Sequence, residues 1–582
     1  MKWVSDWLHP LLAFAVVFLI RYPIVILGVD VTDEGFNLSN QLLSNAMGIE
    51  FIKVAPQWWL SDFIAGSWLK LMDSYGLWGA RLGGILCTSL IAMLSTRIIG
   101  LVYKSHLGLV LVVLAAALYS QPARILYYDN VPVLLFLIFG FSFVKMILNS
   151  SIRPYSILAG CALALLILSK WTMLIAGFIP VLTLVACHYS DKDLMKNLIR
   201  PCCVLYITLL LCLTMFCFYL WNHALLGDYF SFSGLAEEHN HLSAQLFRWY
   251  WLLRTKVPLV ILLFGIPLLF YKFSKKSAPD KAKNSIAIFL GLFLLSILLS
   301  FFRSKWFCPF ADIQVVYILS YLICIVLGAF GLYSIRNLYR IEEFALFLLG
   351  TFLPLAQSLG AAAGISKAYL GMWLLPGILF SLLLRVAKID SYAHCRNQIL
   401  SISLIVTAIF GYYGVKQNYF YMGRDSSDLS KLSSPFTNSR LAGVYTTPER
   451  KESFDSLIYA MARYTQKRDR ILAYFHIPMV YFASGTLPLG DHPWFEAFLS
   501  PDRFREKIAR YAHLPPPKVI VKSKMNPFNS EWGLKPVKPL ESTPETILMA
   551  EMMESTVNDL WDLQLVWSNP DFDLYTVSAK NL

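Results

Sequence analysis

The chain is predicted to be an α-helical polytopic membrane protein, with about thirteen transmembrane helices and a C-terminal extracytoplasmic α/β domain. Three observations predict it. Of its 582 residues 57% are hydrophobic and only 15% are charged, against about 25% charged in soluble domains, and the mean hydropathy is +0.55. Apolar runs long enough to cross a bilayer recur through residues 1–414 and then stop. From residue 415 to 582 the sequence turns charged and Pro-rich, with the patterning of a soluble fold.

A spanning helix needs roughly 20 apolar residues. Candidates run near 10–29, 78–101, 107–121, 131–148, 155–169, 172–188, 201–221, 257–271, 286–302, 311–332, 343–361, 369–386 and 399–414. The first is long enough to remain as an anchor, so no cleavable signal peptide is expected. Positive charge gathers in alternate loops, among them Arg97 and Lys104, Lys192, Lys196 and Arg200, and the lysines of 272–283. The positive-inside rule then puts the N-terminus in the cytoplasm and, with an odd number of spans, the C-terminal region on the far side.

Two far-side loops are long, 30–77 and 222–254. In the first, "FNLSNQLLSNAM" reads as a short amphipathic helix closed by Gly48 and "WWLSDFIAGSWLKLMDSYG" as a Trp-rich one, both suited to lying on the membrane interface. In the C-terminal region "KESFDSLIYAMARYTQ" and "TPETILMAEMMESTVNDL" have helical period. "RILAYF" and "KVIVKS" read as short buried strands, and "LQLVWSNPDFDLYTVS" as a hairpin turning at Asn569–Pro570.

The net charge of +13 lies mostly in the short loops, which argues for orientation in a membrane rather than for nucleic acid. None of the ten cysteines has a metal-ligand spacing, and the C-terminal region has none, so it folds without disulfides. No internal repeat is visible.

Ionisable groups at a membrane edge are costly and usually functional or paired. On the far side they are Asp30, Asp33 and Glu34 in "DVTDEG", Lys53, Arg81 in "GARLGG", Arg124 and Asp129 in "QPARILYYDNVP", Lys170 in "LSKWTM", and Arg303 and Lys305 in "FFRSKWF". Carboxylates beside Arg and Lys suit a phosphorylated lipid. The cations hold a phosphate and stabilise it as a leaving group, and a carboxylate takes the proton of an acceptor hydroxyl.

The "DE" pair after span one, the "ARL" opening span two, the "R…D" segment before span four and the Lys turn after span five come in the order of a known group. The first 180 or so residues resemble the GT-C class of membrane glycosyltransferases, and more narrowly the protein O-mannosyltransferase and aminoarabinose lipid A transferase group (families 39 and 83). The resemblance implies transfer of a sugar from a polyprenyl-phosphate carrier to an extracytoplasmic glycan, lipid or protein hydroxyl, with inversion. It implies Asp33 as the catalytic base with Glu34 beside it. Lys53, Arg81, Arg124, Asp129, Lys170, Arg303 and Lys305 would bind donor phosphate or sugar. It also implies a bacterial cytoplasmic membrane. Lys53 is a loose match, because the group's "KPP"-like segment is here only "FIKVAPQWW".

Each of these residues has a plainer reading: Asp33 as a helix cap, Asp30 as support, Arg81 and Arg124 as partners of the carboxylates, Asp129 as a cap of span four, and the lysines as snorkelling side chains. Glu238, His239 and His241 could hold a divalent cation, but such a run is more often a solvated loop; no cofactor is otherwise implied. The sequon Asn37–Leu38–Ser39 is read as chance. An O-antigen ligase or polymerase-type enzyme is the near alternative. A transporter or lipid flippase is the alternative from another class, disfavoured because the charges lie at one face rather than the midplane.

Overall fold

A computed structural model describes residues 2–120, 124–149, 153–230, 340–359, 364–386, 428–490, 492–494, 501–524 and 544–580, with isolated positions at 321–332 and at 425–426. In the first part the chain runs up and down a helix bundle: α1 (Lys2–Arg21), α4 (Gly76–Val102), α5 (Leu107–Tyr119), α6 (Asn130–Leu148), α7 (Arg153–Ser169), α8 (Phe178–Ser190) and α9 (Lys192–Asn222). A short α10 (Leu226–Phe230) follows, and α11 (Ile341–Leu359) and α12 (Leu375–Val386) rejoin the bundle. Five segments among the described residues are long and apolar enough to cross a membrane: Asp6–Ile26, Asp73–Val102, Asn130–Leu148, Trp171–Ser190 and Lys192–Asn222. At 1.5 Å per residue, α4 alone rises about 40 Å, more than the roughly 30 Å hydrocarbon core. The expected spans 257–271, 286–302 and 399–414, and most of 311–332, lie outside the described residues.

Ile91, Ile98, Phe136, Phe139, Phe143, Leu163, Leu346 and Leu349 interlock as the buried core between α4, α6, α7 and α11. At one end of the bundle Glu343 is fully buried and paired with Arg385 and Arg340, and Arg340 also donates to the carbonyl of Val102 at 2.7 Å. The opposite end carries the long loop 30–77, with α2 (Asp33–Met47) and α3 (Trp59–Leu71).

The C-terminal region is α/β. A five-stranded mixed sheet runs in the order β4 (Leu487–Pro488), β3 (Arg470–Tyr474), β5 (Val519–Ser523), β7 (Phe572–Ala579), β6 (Trp561–Ser568), and β1 (Ser434–Pro435) pairs separately with β2 (Tyr445–Thr446). The β4–β3–β5 pairs are parallel; β5–β7 and β7–β6 are antiparallel. Strand alternation divides the buried residues. Ile471, Ala473, Val519 and Val521 face Phe454 and Leu457 of α13 (Pro448–Met461), while Leu472, Tyr474 and Ile520 join Met549, Met553 and Val557 of the helix Pro544–Leu560. Thr447 caps α13 by accepting from the N–H of Arg450, with Pro448 as its first residue. The "SNP" turn joins β6 to β7 where the sequence places it.

This domain is seated on loop one. Gly28 N–H donates to Tyr445 O at 2.8 Å, Leu77 N–H to Arg440 O at 2.7 Å, and Met479 N–H to Val31 O at 3.1 Å. Asp73 pairs with Arg440 at 2.6 Å and Lys467 at 2.9 Å. The helix α14 (Met479–Ser484) lies so close to α2 that a Cβ on Gly35 would collide with the backbone nitrogen of Met479. The interfacial helix expected over "FNLSNQLLSNAM" is therefore corrected. It is α2, ended by Gly48 at φ +58°, but Phe36, Asn37, Leu38, Ser39, Asn40, Gln41 and Leu43 are all buried. A helix covered on one side by the bundle and on another by a soluble domain does not lie open on the bilayer.

Candidate active site at the loop-one end of the bundle

The three carboxylates of "DVTDE" meet three different fates. Asp30 is buried, and its Oδ1 accepts from the N–H of Thr32 at 2.9 Å and from its hydroxyl at 2.5 Å, a local turn that sets the entry into α2. Asp33 is the first residue of α2 and is exposed; Thr32 stands at the cap position, and its side chain makes no capping bond. Glu34 turns inward to a fully buried Arg81, with Nε to Oε1 and Nη2 to Oε2 both at 2.7 Å. This is the bidentate fork that Arg favours with a carboxylate.

The rest of the Arg81 guanidinium is taken by backbone. Nη1 donates to the carbonyls of Val25 at 2.9 Å, Leu27 at 3.2 Å and Ile24 at 3.4 Å, and Nη2 to Gly28 at 2.6 Å. Burial raises the Glu34 pKa, but Arg81, with Arg124 behind it, outweighs burial and holds it below the usual carboxylate range. The pairing holds the turn 24–28 to α4, a scaffolding contact that occupies the Glu34 carboxylate and the Arg81 guanidinium, the two groups expected to serve catalysis and phosphate binding. Arg124 reinforces the same turn through the carbonyls of Leu27 and Gly28 at 3.3 and 3.4 Å. The partners of these two arginines are thus the Glu34 carboxylate and the backbone of the turn 24–28.

A second cluster forms where α6 begins and α7 and α11 end. Lys170, buried just after α7, donates to Asp129 Oδ1 at 2.7 Å and to Gln357 Oε1 at 2.8 Å, and the Gln357 amide returns a bond to the Asp129 carbonyl at 2.9 Å. Asp129 precedes α6 without capping it; its carboxylate turns to the lysine. Burial raises its pKa, but Lys170 and then Lys367 more than reverse this, so the group stays ionised. Lys170 also lies 5.9 Å over the Tyr128 ring, which stacks on the indole of Trp58 at 4.8 Å and meets the Tyr127 ring at 5.2 Å.

Tyr128 ties the two clusters together. The residue is half-buried, and desolvation of its phenol comes first in raising its pKa, followed by the charges of Asp129, Asp33 and Asp62. Asp33, Asp129 and Lys170 therefore converge on one region, brought there by α2, the 124–129 segment and the end of α7. Lys53 stands apart from this cluster, exposed and paired with Glu50 at 3.5 Å. Arg303, Lys305, Glu238, His239 and His241 lie outside the described residues, and no group of metal-binding side chains occurs among the described ones. Asn37 is buried in α2 and donates to the Asp33 carbonyl at 2.8 Å, which fits no glycosylation there.

Sequence reasoning missed Trp58, Asp62, Tyr128, Gln357 and Lys367. Tyr128 adjoins Asp129 and was within reach of the motif reading. Asp62 in an apolar helix was a buried charge to be explained, whereas Gln357 and Lys367 meet the site only through the packing of α11 and the segment after it.

No protein family and no curated protein matches the sequence. Among solved structures, the chain is similar to ArnT from Cupriavidus metallidurans, in the apo state (12% identity, 97% of both chains covered, TM-score 0.39) and bound to undecaprenyl phosphate (13%, 97% of both, 0.40). It is also similar to the apo form of the Archaeoglobus fulgidus oligosaccharyltransferase, at 12% identity over 100% of this chain and 75% of that one, with a TM-score of 0.46.

Proposed function

We propose that the chain is an integral-membrane, inverting glycosyltransferase that moves a sugar from a polyprenyl-phosphate carrier to an extracytoplasmic hydroxyl. Asp33 is the general base. The acceptor oxygen forms a bond to the anomeric carbon as the bond from that carbon to the phosphate oxygen breaks. The hydroxyl proton passes to Asp33, and the lipid phosphate leaves with the electron pair of the broken bond.

Lys170 has three N–H donors. Two go to Asp129 and Gln357, which aim the ammonium, and the third serves a phosphate oxygen. Lys367, close enough to act on Asp129, adds a second positive charge. Their attraction grows as charge builds on the leaving phosphate. The observation that carries the reading is the convergence of an exposed carboxylate, Asp33, and a braced lysine, Lys170, on Tyr128 at one end of an apolar bundle.

The test is transfer by the purified full-length chain from a panel of polyprenyl-phospho-sugars to lipid, glycan and peptide acceptors, with the product anomer read by NMR. Transfer with an inverted anomer supports the reading. No transfer from any donor, with the chain folded, or a retained configuration, counts against it.

A further inference from the structure

Helix α3 carries a carboxylate that the mechanism does not use. Asp62 is fully buried, and neither of its oxygens has a hydrogen-bond partner among the described residues. Buried polar groups are almost always partnered, so each exception calls for an explanation. This one has company. Gln57, 8% exposed, has an unpartnered Oε1, and the Trp58 indole N–H, also buried, lacks a partner among the described residues.

The three are held in place. Trp58 stands at the cap position of α3, in the turn Pro56–Trp58 that also holds Gln57, and Asp62 follows in the first turn of the helix. Ser61 fixes the helix by donating to the carbonyl of Ser169 at 2.8 Å, one residue before Lys170. Trp58 is stacked on Tyr128, and Asp62 acts on the Tyr128 phenol alongside Asp33 and Asp129. Trp58 and Asp62 thus share Tyr128 with the proposed base and the proposed phosphate holder, and Gln57 precedes Trp58 in the same turn. Among the described residues no Lys or Arg contributes to the Asp62 environment; burial pushes the carboxyl up to about 8, and only the facing Trp58 indole N–H, which approaches it without reaching hydrogen-bond geometry, opposes it. Near neutral pH the group is largely the acid, able both to donate and to accept.

We propose that Asp62, with Gln57 and Trp58, is the subsite that recognises the sugar of the lipid-linked donor through its hydroxyls. The chemistry fits an uncharged, hydroxyl-rich sugar. Each hydroxyl is donor and acceptor at once, matching an acid, an amide oxygen and an indole N–H, and aromatic rings suit the C–H faces of a pyranose. A phosphate is a poor fit, because no cation among the described residues acts on Asp62. The inference rests on the glycosyltransferase reading and assigns its donor specificity to α3.

The test compares binding of undecaprenyl phosphate with that of undecaprenyl-phospho-glucose, -mannose and -N-acetylglucosamine, using the purified full-length chain. Wild type should bind at least one sugar-bearing lipid more tightly than the bare lipid phosphate. Asp62→Leu should erase that preference, a loss of about tenfold for one or two hydrogen bonds, and leave undecaprenyl phosphate binding within about twofold. Asp62→Asn should keep the preference, since an amide still donates and accepts. Gln57→Leu gives a second, independent loss if Asp62→Leu does not fold. Equal weakening of both lipids by Asp62→Leu, an unchanged preference, or no sugar preference in wild type overturns the subsite. Loss on Asp62→Asn as deep as on Asp62→Leu would indicate an ionised Asp62 facing a cationic sugar, and overturns it as stated. Failure of wild type to bind undecaprenyl phosphate at all is a different result: it removes the donor reading, and the subsite with it.

Discussion

Replacing Arg81 with Met separates scaffold from ligand-binding roles. In wild type the guanidinium makes two bonds to Glu34 and reaches the carbonyls of Ile24, Val25, Leu27 and Gly28. Arg81→Met leaves Glu34 buried without its main counter-charge, and breaking a buried pair from one side costs about 3–5 kcal/mol. Carbonyls left unpaired add about 1–3 kcal/mol each. The sum rivals the whole stability of a typical domain, about 5–15 kcal/mol. The variant should therefore aggregate or lose most of its thermal transition, read by size-exclusion profile and thermal shift in detergent. Adding Glu34→Gln should recover part of the loss, because the stranded charge is gone. Glu34, whose folded pKa is depressed below its ordinary 4.5, contributes stability present above that pH and lost as pH falls below it. Glu34→Gln alone should flatten this acid limb. A monodisperse Arg81→Met protein with an unshifted transition and weakened donor binding would refute the scaffold assignment.

Three further outcomes follow from the same geometry. Asp62 has a folded pKa of about 8 against 3.8 unfolded, so its contribution is full below about pH 4 and lost as pH rises towards 8, by at most about 1.4 kcal/mol per unit. The transition of wild type should fall across that window relative to Asp62→Asn, and parallel curves would contradict the buried acid. Lys170→Met should raise the donor KM and cut transfer by about 10²–10³, the scale of losing one preorganised charge contact; unchanged donor kinetics would remove Lys170 from the site. Gly35→Ala should drive α2 off the Met479 backbone, costing about 1–3 kcal/mol. Faster proteolytic release of the C-terminal domain reads this out, and an unaltered cleavage rate would contradict the close approach.

Much of the fold is legible because its signals are local. Apolar runs such as 78–101 and 131–148 become α4 and α6, and "RILAYF", "KVIVKS" and the "SNP" hairpin become strands because short apolar β-branched runs and turn residues are written in short windows. The site was legible only in part. Asp33, Asp129 and Lys170 stand out as costly charges at helix ends. The partition of labour among the acids was not, because which of Asp33 and Glu34 faces Arg81 depends on the helical phase of α2 and on the domain docked over it. Asp62 shows the same limit from the other side. Its apolar helix promised an interfacial surface, and only the closure of α3 against the Tyr128 segment makes it a buried acid.

The most direct measurement of the central claim is the turnover of Asp33→Asn with a polyprenyl-phospho-sugar that wild type uses. The account predicts a fall of about 10²–10⁴ in kcat, the usual worth of a general base. Donor affinity and thermal transition should stay close to wild type, because Asp33 is exposed and Glu34, not Asp33, holds Arg81. Turnover within a few-fold of wild type would contradict it.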